Sequence, residues 1–100
     1  MLPVLISYRA EEDAKEAGIW YDTRLSSLSI RFYSELKEYL LKIQGNPFSF
    51  PERKRGSIIR QCSLKKFPYN LFYIIEDKHI AIIAILHKSR SYRFIKNRLK

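Results

Sequence analysis

Few side chains in this sequence could hold a metal or act as nucleophiles. Its 100 residues include two histidines, His79 and His87, and a single cysteine, Cys62. The cysteine lies far from both histidines along the chain, and these residues lack the short paired spacing of metal ligands. We therefore expect neither a metal site nor another cofactor.

Arg60 and His87 each allow a structural and a chemical interpretation. Arg60 lies in a stretch of β-type residues between Ile58 and Cys62. A charge there protects an exposed sheet edge from aggregation, or it contacts a ligand across the sheet. His87 ends a predicted strand, where a hydrogen bond to the tail is the simpler role and proton transfer is the alternative.

The charge of the chain is unevenly distributed. Residues 1–52 contain 6 Lys+Arg and 8 Asp+Glu, a net charge of −2. Residues 53–100 contain 13 Lys+Arg and 2 Asp+Glu, a net charge of +11, and the halves sum to the total of +9. Such a concentrated field attracts a polyanion or an acidic protein partner.

Length and composition predict one globular domain over residues 1–100. At 46% hydrophobic residues the chain is too apolar for a disordered basic tail. The longest apolar run, residues 80–86, is far too short to span a bilayer. A lone cysteine, and no basic residue before the first apolar stretch, indicate a cytoplasmic protein without a secretory signal.

The first half of the chain predicts a strand and two helices. Residues 2–8 alternate loosely, as a strand does. Apolar residues recur at steps of three and four over residues 10–24, the spacing of one helix face, and acidic residues in the first turn complement the helix dipole. A second such stripe spans residues 28–43, with Ser26 or Ser27 as its N-cap. Two helices joined by a short turn form an αα-hairpin.

The second half predicts a β-meander. Gly45-Asn46-Pro47 ends the second helix, and after Gly56 the periodicity drops to two. Strands are predicted over the three segments 57–64, 69–76 and 79–87. The last two are apolar on both faces, so we expect them at the centre of the sheet, covered on each side.

These elements predict an α+β fold. The N-terminal strand and the three-stranded antiparallel meander form one four-stranded sheet, and the helical hairpin packs on one face of it. The basic tail, residues 91–100, is predicted as a short helix or a frayed end.

Several short motifs follow this element order. Ala10-Glu11-Glu12-Asp13, Trp20-Tyr21 and Arg31-Phe32 lie in the hairpin, and Asn46-Pro47 and Phe50-Pro51 lie in the loop after it. The clearest series is Arg60, Phe67-Pro68-Tyr69, Tyr73, His87 and Arg90. Over residues 4–98 this order resembles the RelE/ParE superfamily of bacterial toxins, and it is nearer the ParE-type branch.

The resemblance implies a small toxin that arrests growth and is silenced by a cognate antitoxin. RelE-type members cut messenger RNA on the ribosome, whereas ParE-type members inhibit DNA gyrase. The partner implied is an acidic, partly disordered antitoxin that folds on binding. A homodimer is a further possibility, and no membrane partner is expected.

The residues favour the ParE branch over the nuclease. RNA cleavage needs a base, a cation at the phosphate and an acid. RelE-like nucleases commonly place an arginine directly after the tyrosine that matches Tyr69, and here that position holds Asn70. If the chain is a nuclease, its candidate residues are Glu52, Arg60, His87 and Arg90. A non-toxic basic nucleic-acid-binding protein is a second alternative.

Two sets of binding residues follow from this interpretation. The candidates for target binding are cations and a histidine of the basic half: Arg60, His87, Arg90, Arg93 and Arg98. The candidates for antitoxin binding are apolar residues of the hairpin, where exposed apolar surface would form a docking groove: Trp20, Phe32, Leu36 and Tyr39.

Overall fold

The computed structural model describes residues 1–90, 95 and 97–99. Its elements are β1 (Val4–Ile6), α1 (Tyr8–Asp22), α2 (Ser26–Gly45), β2 (Ile59–Ser63), β3 (Tyr69–Ile75) and β4 (Ile80–His87), with short 3₁₀ turns at Pro47–Ser49 and Asn97–Leu99. Element order and type agree with the prediction. The tail contains the second 3₁₀ turn, and residues 91–94, 96 and 100 lie outside the described residues.

Helix boundaries differ from the prediction at the two N-termini. The Ser7 hydroxyl accepts a hydrogen bond from the Ala10 N–H at 3.1 Å and caps α1, so Tyr8 belongs to the helix and not to β1. Ser26 and Ser27 do not cap α2. They lie inside the helix, and Leu25 is the N-cap residue without a side-chain hydrogen bond.

The four strands form one mixed sheet in the order β1-β4-β3-β2. The β2–β3 and β3–β4 pairs are antiparallel, whereas β1 runs parallel to β4 and pairs with it only from Ile80 to Ile82. The central positions of β3 and β4 confirm the prediction made from their two apolar faces. A register shift between Phe72 and Tyr73 interrupts the central ladder.

Both faces of the sheet are covered by apolar side chains. Helices α1 and α2 cover the first face, and Phe32, Leu71, Tyr73 and Ile82 form its centre. The second face carries a smaller cluster that includes Ile95 of the C-terminal segment, together with Ile59, Phe72, Ile74, Ile83, Ala84 and Leu86. Each isoleucine, leucine or phenylalanine side chain of such a cluster contributes about 1.5–3 kcal/mol when it is fully buried. Ile95 of the tail is therefore part of the core.

Polar groups of Glu35 and Cys62 lie inside the first layer. Both carboxylate oxygens of Glu35, on α2, accept the Lys66 N–H at 2.9 and 3.1 Å, which ties the β2–β3 loop to the helix. The Cys62 thiol is fully buried, and burial is the main cause that raises its pKa to about 12.

No membrane-spanning segment is found in the described part of the chain: neither α1 nor α2 is at once long enough and apolar enough to cross a bilayer.

Candidate functional site

A groove of about 680 Å³ lies between α1 and the neighbouring ends of β3 and β4. One wall comes from α1 and the other from the sheet and the chain that follows β4. Its polar and aromatic lining consists of Asp13, Glu16, Trp20, Tyr21, Tyr69, His87, Ser89, Arg90 and Arg98. The sequence candidates His87, Arg90, Arg98 and Trp20 are thus brought to one place.

The floor of the groove is the open edge of β4. Because β1 ends at Ile6, opposite Ile82, no strand among the described residues lies beside the rest of β4 on that side. The Asp13 carboxylate accepts the Ile85 N–H at 2.9 Å, and Arg98 donates to the Ile83 carbonyl at 2.9 Å. Side chains therefore take the place of a neighbouring strand there.

Asp13 and Arg98 also bond to each other. The two terminal nitrogens of Arg98 donate to the two oxygens of Asp13 at 2.8 and 2.9 Å, a bidentate pair. The side chains are only 10% (Arg98) and 11% (Asp13) exposed. The charge of Arg98, a candidate for target binding, is thus paired with Asp13 within the fold. Any contact of Arg98 with a target stays a prediction.

An aromatic cluster lines the groove. Tyr69 packs edge-on against His87, with ring centroids 5.3 Å apart, and lies 6.2 Å from the Tyr21 ring. Burial is the main cause that raises the Tyr69 pKa; Arg90 acts to lower it and Glu16 to raise it. The phenol therefore keeps its proton at neutral pH and can donate a hydrogen bond.

His87 is exposed and locally hydrogen-bonded. Its Nδ1 accepts the Ser89 N–H at 3.1 Å and lies 2.9 Å from the Ser89 hydroxyl. Because Nδ1 is an acceptor, the neutral ring carries its proton on Nε2. Among the described residues the hydrogen-bond partner of His87 is Ser89, and the predicted bond to the tail, most of which lies outside the described residues, stays a prediction.

The four antitoxin candidates occupy three different environments. Phe32 and Leu36 are 0% and 6% exposed and belong to the core, so they support the hairpin surface from below. Tyr39 is half-buried beside Phe50. Only Trp20 lies at the groove; it is 50% exposed, and the Arg24 guanidinium stacks 3.5 Å from its ring centroid. The role of these four residues in antitoxin binding stays a prediction.

The remaining nuclease candidates lie at the opposite edge of the sheet. Arg60, on edge strand β2, donates to the Phe50 carbonyl at 2.7 Å, and its backbone bridges to Glu52. Arg60 pairs with Tyr73, whereas His87 pairs with Tyr69, four residues along β3. That offset is roughly 13 Å along the strand, in addition to a separation of two strands. The structure thus does not bring Glu52 and Arg60 together with His87 and Arg90.

Asn70 does not line the groove either. Its side chain is buried, and its carbonyl oxygen accepts a hydrogen bond from the Ser63 hydroxyl at 2.7 Å. Because side chains alternate along a strand, Asn70 lies on the sheet face opposite Tyr69.

The target candidate Arg93 lies outside the described residues. In the described part of the chain no three His, Cys, Asp or Glu side chains are grouped so that they could hold a metal ion.

Sequence reasoning missed Asp13 and Glu35, whose largely buried carboxylates accept hydrogen bonds from backbone N–H groups. The sequence predicts only that the acidic residues at the start of α1 complement the helix dipole. However, Asp13 lies three residues after Ala10 and four before Ala17, on the buried stripe itself. Glu35 stands in the same relation to Phe32 and Tyr39. That helical spacing is the signal that could have found both.

The comparisons with known proteins agree with this fold. The chain matches the family described as "ParE toxin of type II toxin-antitoxin system, parDE" over residues 4–92. No curated protein matches it significantly. Among solved structures, one from "Chromosomal ParDE TA system from P. aeruginosa" matches with a TM-score of 0.77 and 15% identity, covering 87% of this chain and 96% of that one. At that identity the match shows likeness of fold alone. Because the family match spans nearly the whole sequence, this chain belongs to the ParE toxin family of type II toxin–antitoxin systems.

Proposed function

We propose that this toxin arrests bacterial growth from the cytoplasm by inhibiting DNA gyrase, and that a cognate acidic antitoxin neutralises it. Family membership supports the role of a toxin. The choice of gyrase over messenger RNA rests on the site. The observation that carries it is the separation of Glu52 and Arg60 from His87 and Arg90 across the sheet.

A dispersed set of residues argues against RNA cleavage because the base, acid and cation must all reach one phosphate. Proton transfer needs heavy atoms within about 3.2 Å of each other or one bridging water. An offset of roughly 13 Å along β3 exceeds that reach. Asn70 adds to the argument, since it lies on the other face and its oxygen is bonded to Ser63. Losing a preorganised cation contact of this kind costs about 2.7–4 kcal/mol of transition-state stabilisation.

The groove also supports one rival function, a ribosome-dependent endoribonuclease. Tyr69, His87 and Arg90 line the same groove and provide a phenol, an imidazole and a cation. These three groups could supply an acid and a phosphate contact without Glu52 or Arg60. The rival predicts that His87→Ala abolishes arrest, whereas gyrase inhibition predicts that arrest is largely retained.

The proposed antitoxin contact is the groove rim at Trp20. A half-exposed tryptophan at a concave surface is the residue type that dominates protein interfaces. Trp20→Ala should weaken antitoxin binding by about 2 kcal/mol, or roughly thirtyfold in Kd. Phe48→Ala is the matched control, because Phe48 is 67% exposed and lies near Arg60 at the other edge. Equal effects of the two substitutions would contradict the assignment.

The net charge of residues 53–100 should steer the antitoxin. Raising salt from about 0.05 to about 0.5 M shortens the Debye length severalfold and should slow association. Stopped-flow fluorescence of Trp20, the only tryptophan, reports the rate. An on-rate independent of salt would rule out steering by this charge.

Induction of the chain alone in bacteria tests the proposal. We expect filamentous cells with DNA damage, and messenger RNA on ribosomes that is uncut. Glu52→Gln and His87→Ala should leave arrest largely intact. Loss of arrest in either variant, with antitoxin binding retained, would replace gyrase inhibition by the nuclease.

A further inference from the structure

The C-terminal segment is joined to the groove through one ion pair. Asp13 of α1 contacts the Ile85 N–H on β4 and both terminal nitrogens of Arg98. Arg98 also donates to the Ile83 carbonyl. Four hydrogen bonds thus connect a helix, an open strand edge and the tail at one point.

The position of this pair is unusual because it completes a strand edge. The backbone groups of Ile83 and Ile85 would meet another strand if β1 were longer, but β1 ends opposite Ile82. An unpaired edge beside a central strand invites non-native pairing and local opening. Asp13 accepts and Arg98 donates, so the pair supplies one acceptor and one donor to that edge.

The pair is buried and depends on its two members. Within the described part of the chain, the Arg98 Nε has no hydrogen-bond partner, so the guanidinium relies on Asp13 and the Ile83 carbonyl. Removing one member of a buried pair leaves an uncompensated charge, which is strongly unfavourable. The pair therefore helps to hold the turn Asn97–Leu99 against the edge of β4.

We propose that Asp13 is a positioning residue for toxin action. Through its pair with Arg98 it fixes the turn Asn97–Leu99 against the β4 edge and thereby holds the groove wall at Arg90 in the arrangement that acts on the target. The inference rests on the proposed function in that it assigns toxin action to this groove. Asp13 itself is not assigned a contact with the target.

The test compares tail anchorage with growth arrest in four variants. Asp13→Asn and Arg98→Gln each remove one charge, and the double variant removes both and leaves no buried ion. Glu12→Gln is the matched control: it makes the same change next to Asp13, at a side chain 42% exposed whose partner Lys15 is 3.7 Å away. Amide hydrogen exchange at Ile85 and at Asn97–Leu99 measures anchorage, and antitoxin affinity measures folding.

Each single substitution at the pair should speed exchange at these amides by at least about tenfold. It should also weaken growth arrest at equal toxin level, while antitoxin is still bound. Glu12→Gln should change neither quantity. If Asp13→Asn does not fold, the double variant is compared with the wild type instead. It should arrest growth if its amide exchange returns to nearly the wild-type rate. It should fail to arrest growth if its exchange stays fast.

Full arrest by a variant with fast exchange would overturn the positioning role and leave the proposed function intact. Unchanged exchange in both single variants would overturn the anchorage itself. If the wild-type chain does not arrest growth, the proposed function fails with the positioning role, while the exchange data still report whether the pair anchors the tail.

Discussion

Replacing Ile95 by alanine should destabilise the whole domain, although this residue lies near the end of the chain. Ile95 is 1% exposed and packs in the second-face cluster. Deleting a buried isoleucine side chain to alanine costs about 2–5 kcal/mol, from lost burial and from the cavity left behind. A domain of this size has a free energy of unfolding of about 5–15 kcal/mol.

The magnitude should be visible in an ordinary melt. For a domain of 60–100 residues each kcal/mol shifts Tm by about 4–8 °C, so a loss of about 3 kcal/mol lowers Tm by roughly 12–24 °C. Urea unfolding followed by circular dichroism gives the free energy directly. Ile95→Val should cost only about 0.5–1.5 kcal/mol. Ile58→Ala, at a side chain 67% exposed, should stay within about 0.5 kcal/mol of wild type.

A cost below about 1 kcal/mol for Ile95→Ala would refute the reasoning, because the second face would then not depend on this side chain. The result also bears on truncation. Deleting the tail from residue 91 removes Ile95 and Arg98 together, so loss of arrest in that variant would report lost packing as well as lost positive charge. Point substitutions are needed to separate the two.

Three further predictions concern buried polar groups. The Cys62 thiol, with its pKa raised to about 12, should resist alkylation at about pH 8 until urea unfolds the chain; rapid native labelling would contradict this. The folded state raises the pKa values of Cys62 and Tyr73 above their ordinary values of 9.0 and 10.0, so it holds these protons more tightly than the unfolded chain. The urea midpoint should therefore fall as pH rises from 9 toward 12, and it should fall less in Cys62→Ala. A midpoint that does not change with pH would contradict this. Glu35→Ala should cost about 1.5–3 kcal/mol in urea unfolding because the Lys66 N–H loses its acceptor, and Glu35→Gln should cost less; equal costs would show that the hydrogen bond is not the cause.

The architecture was readable from sequence because periodicity reports burial. Segments that are apolar on both faces predicted β3 and β4 at the centre of the sheet, and the helical stripes predicted the hairpin. The helix starts were less accurate: Ser7 caps α1, whereas neither of the predicted caps of α2, Ser26 and Ser27, does so. The parallel pairing of β1 with β4 follows from how the hairpin returns the chain, which local sequence does not encode.

The site was only partly readable. His87, Arg90 and Trp20 were singled out by residue type, and the fold brings them to one groove. The Asp13–Arg98 pair spans 85 positions in the sequence, so no local pattern could join its members. The sequence likewise gave Arg60 two interpretations, and its place on edge strand β2 with a bond to the Phe50 carbonyl favours the structural one.

The central claim is best tested with purified components. DNA gyrase, relaxed plasmid and ATP are mixed with the toxin, with or without its antitoxin, and supercoiling is followed on a gel. We predict that the toxin inhibits supercoiling in a dose-dependent manner and that equimolar antitoxin restores it. Undisturbed supercoiling, together with cleavage of messenger RNA when the same preparation is added to translating ribosomes, would contradict the account.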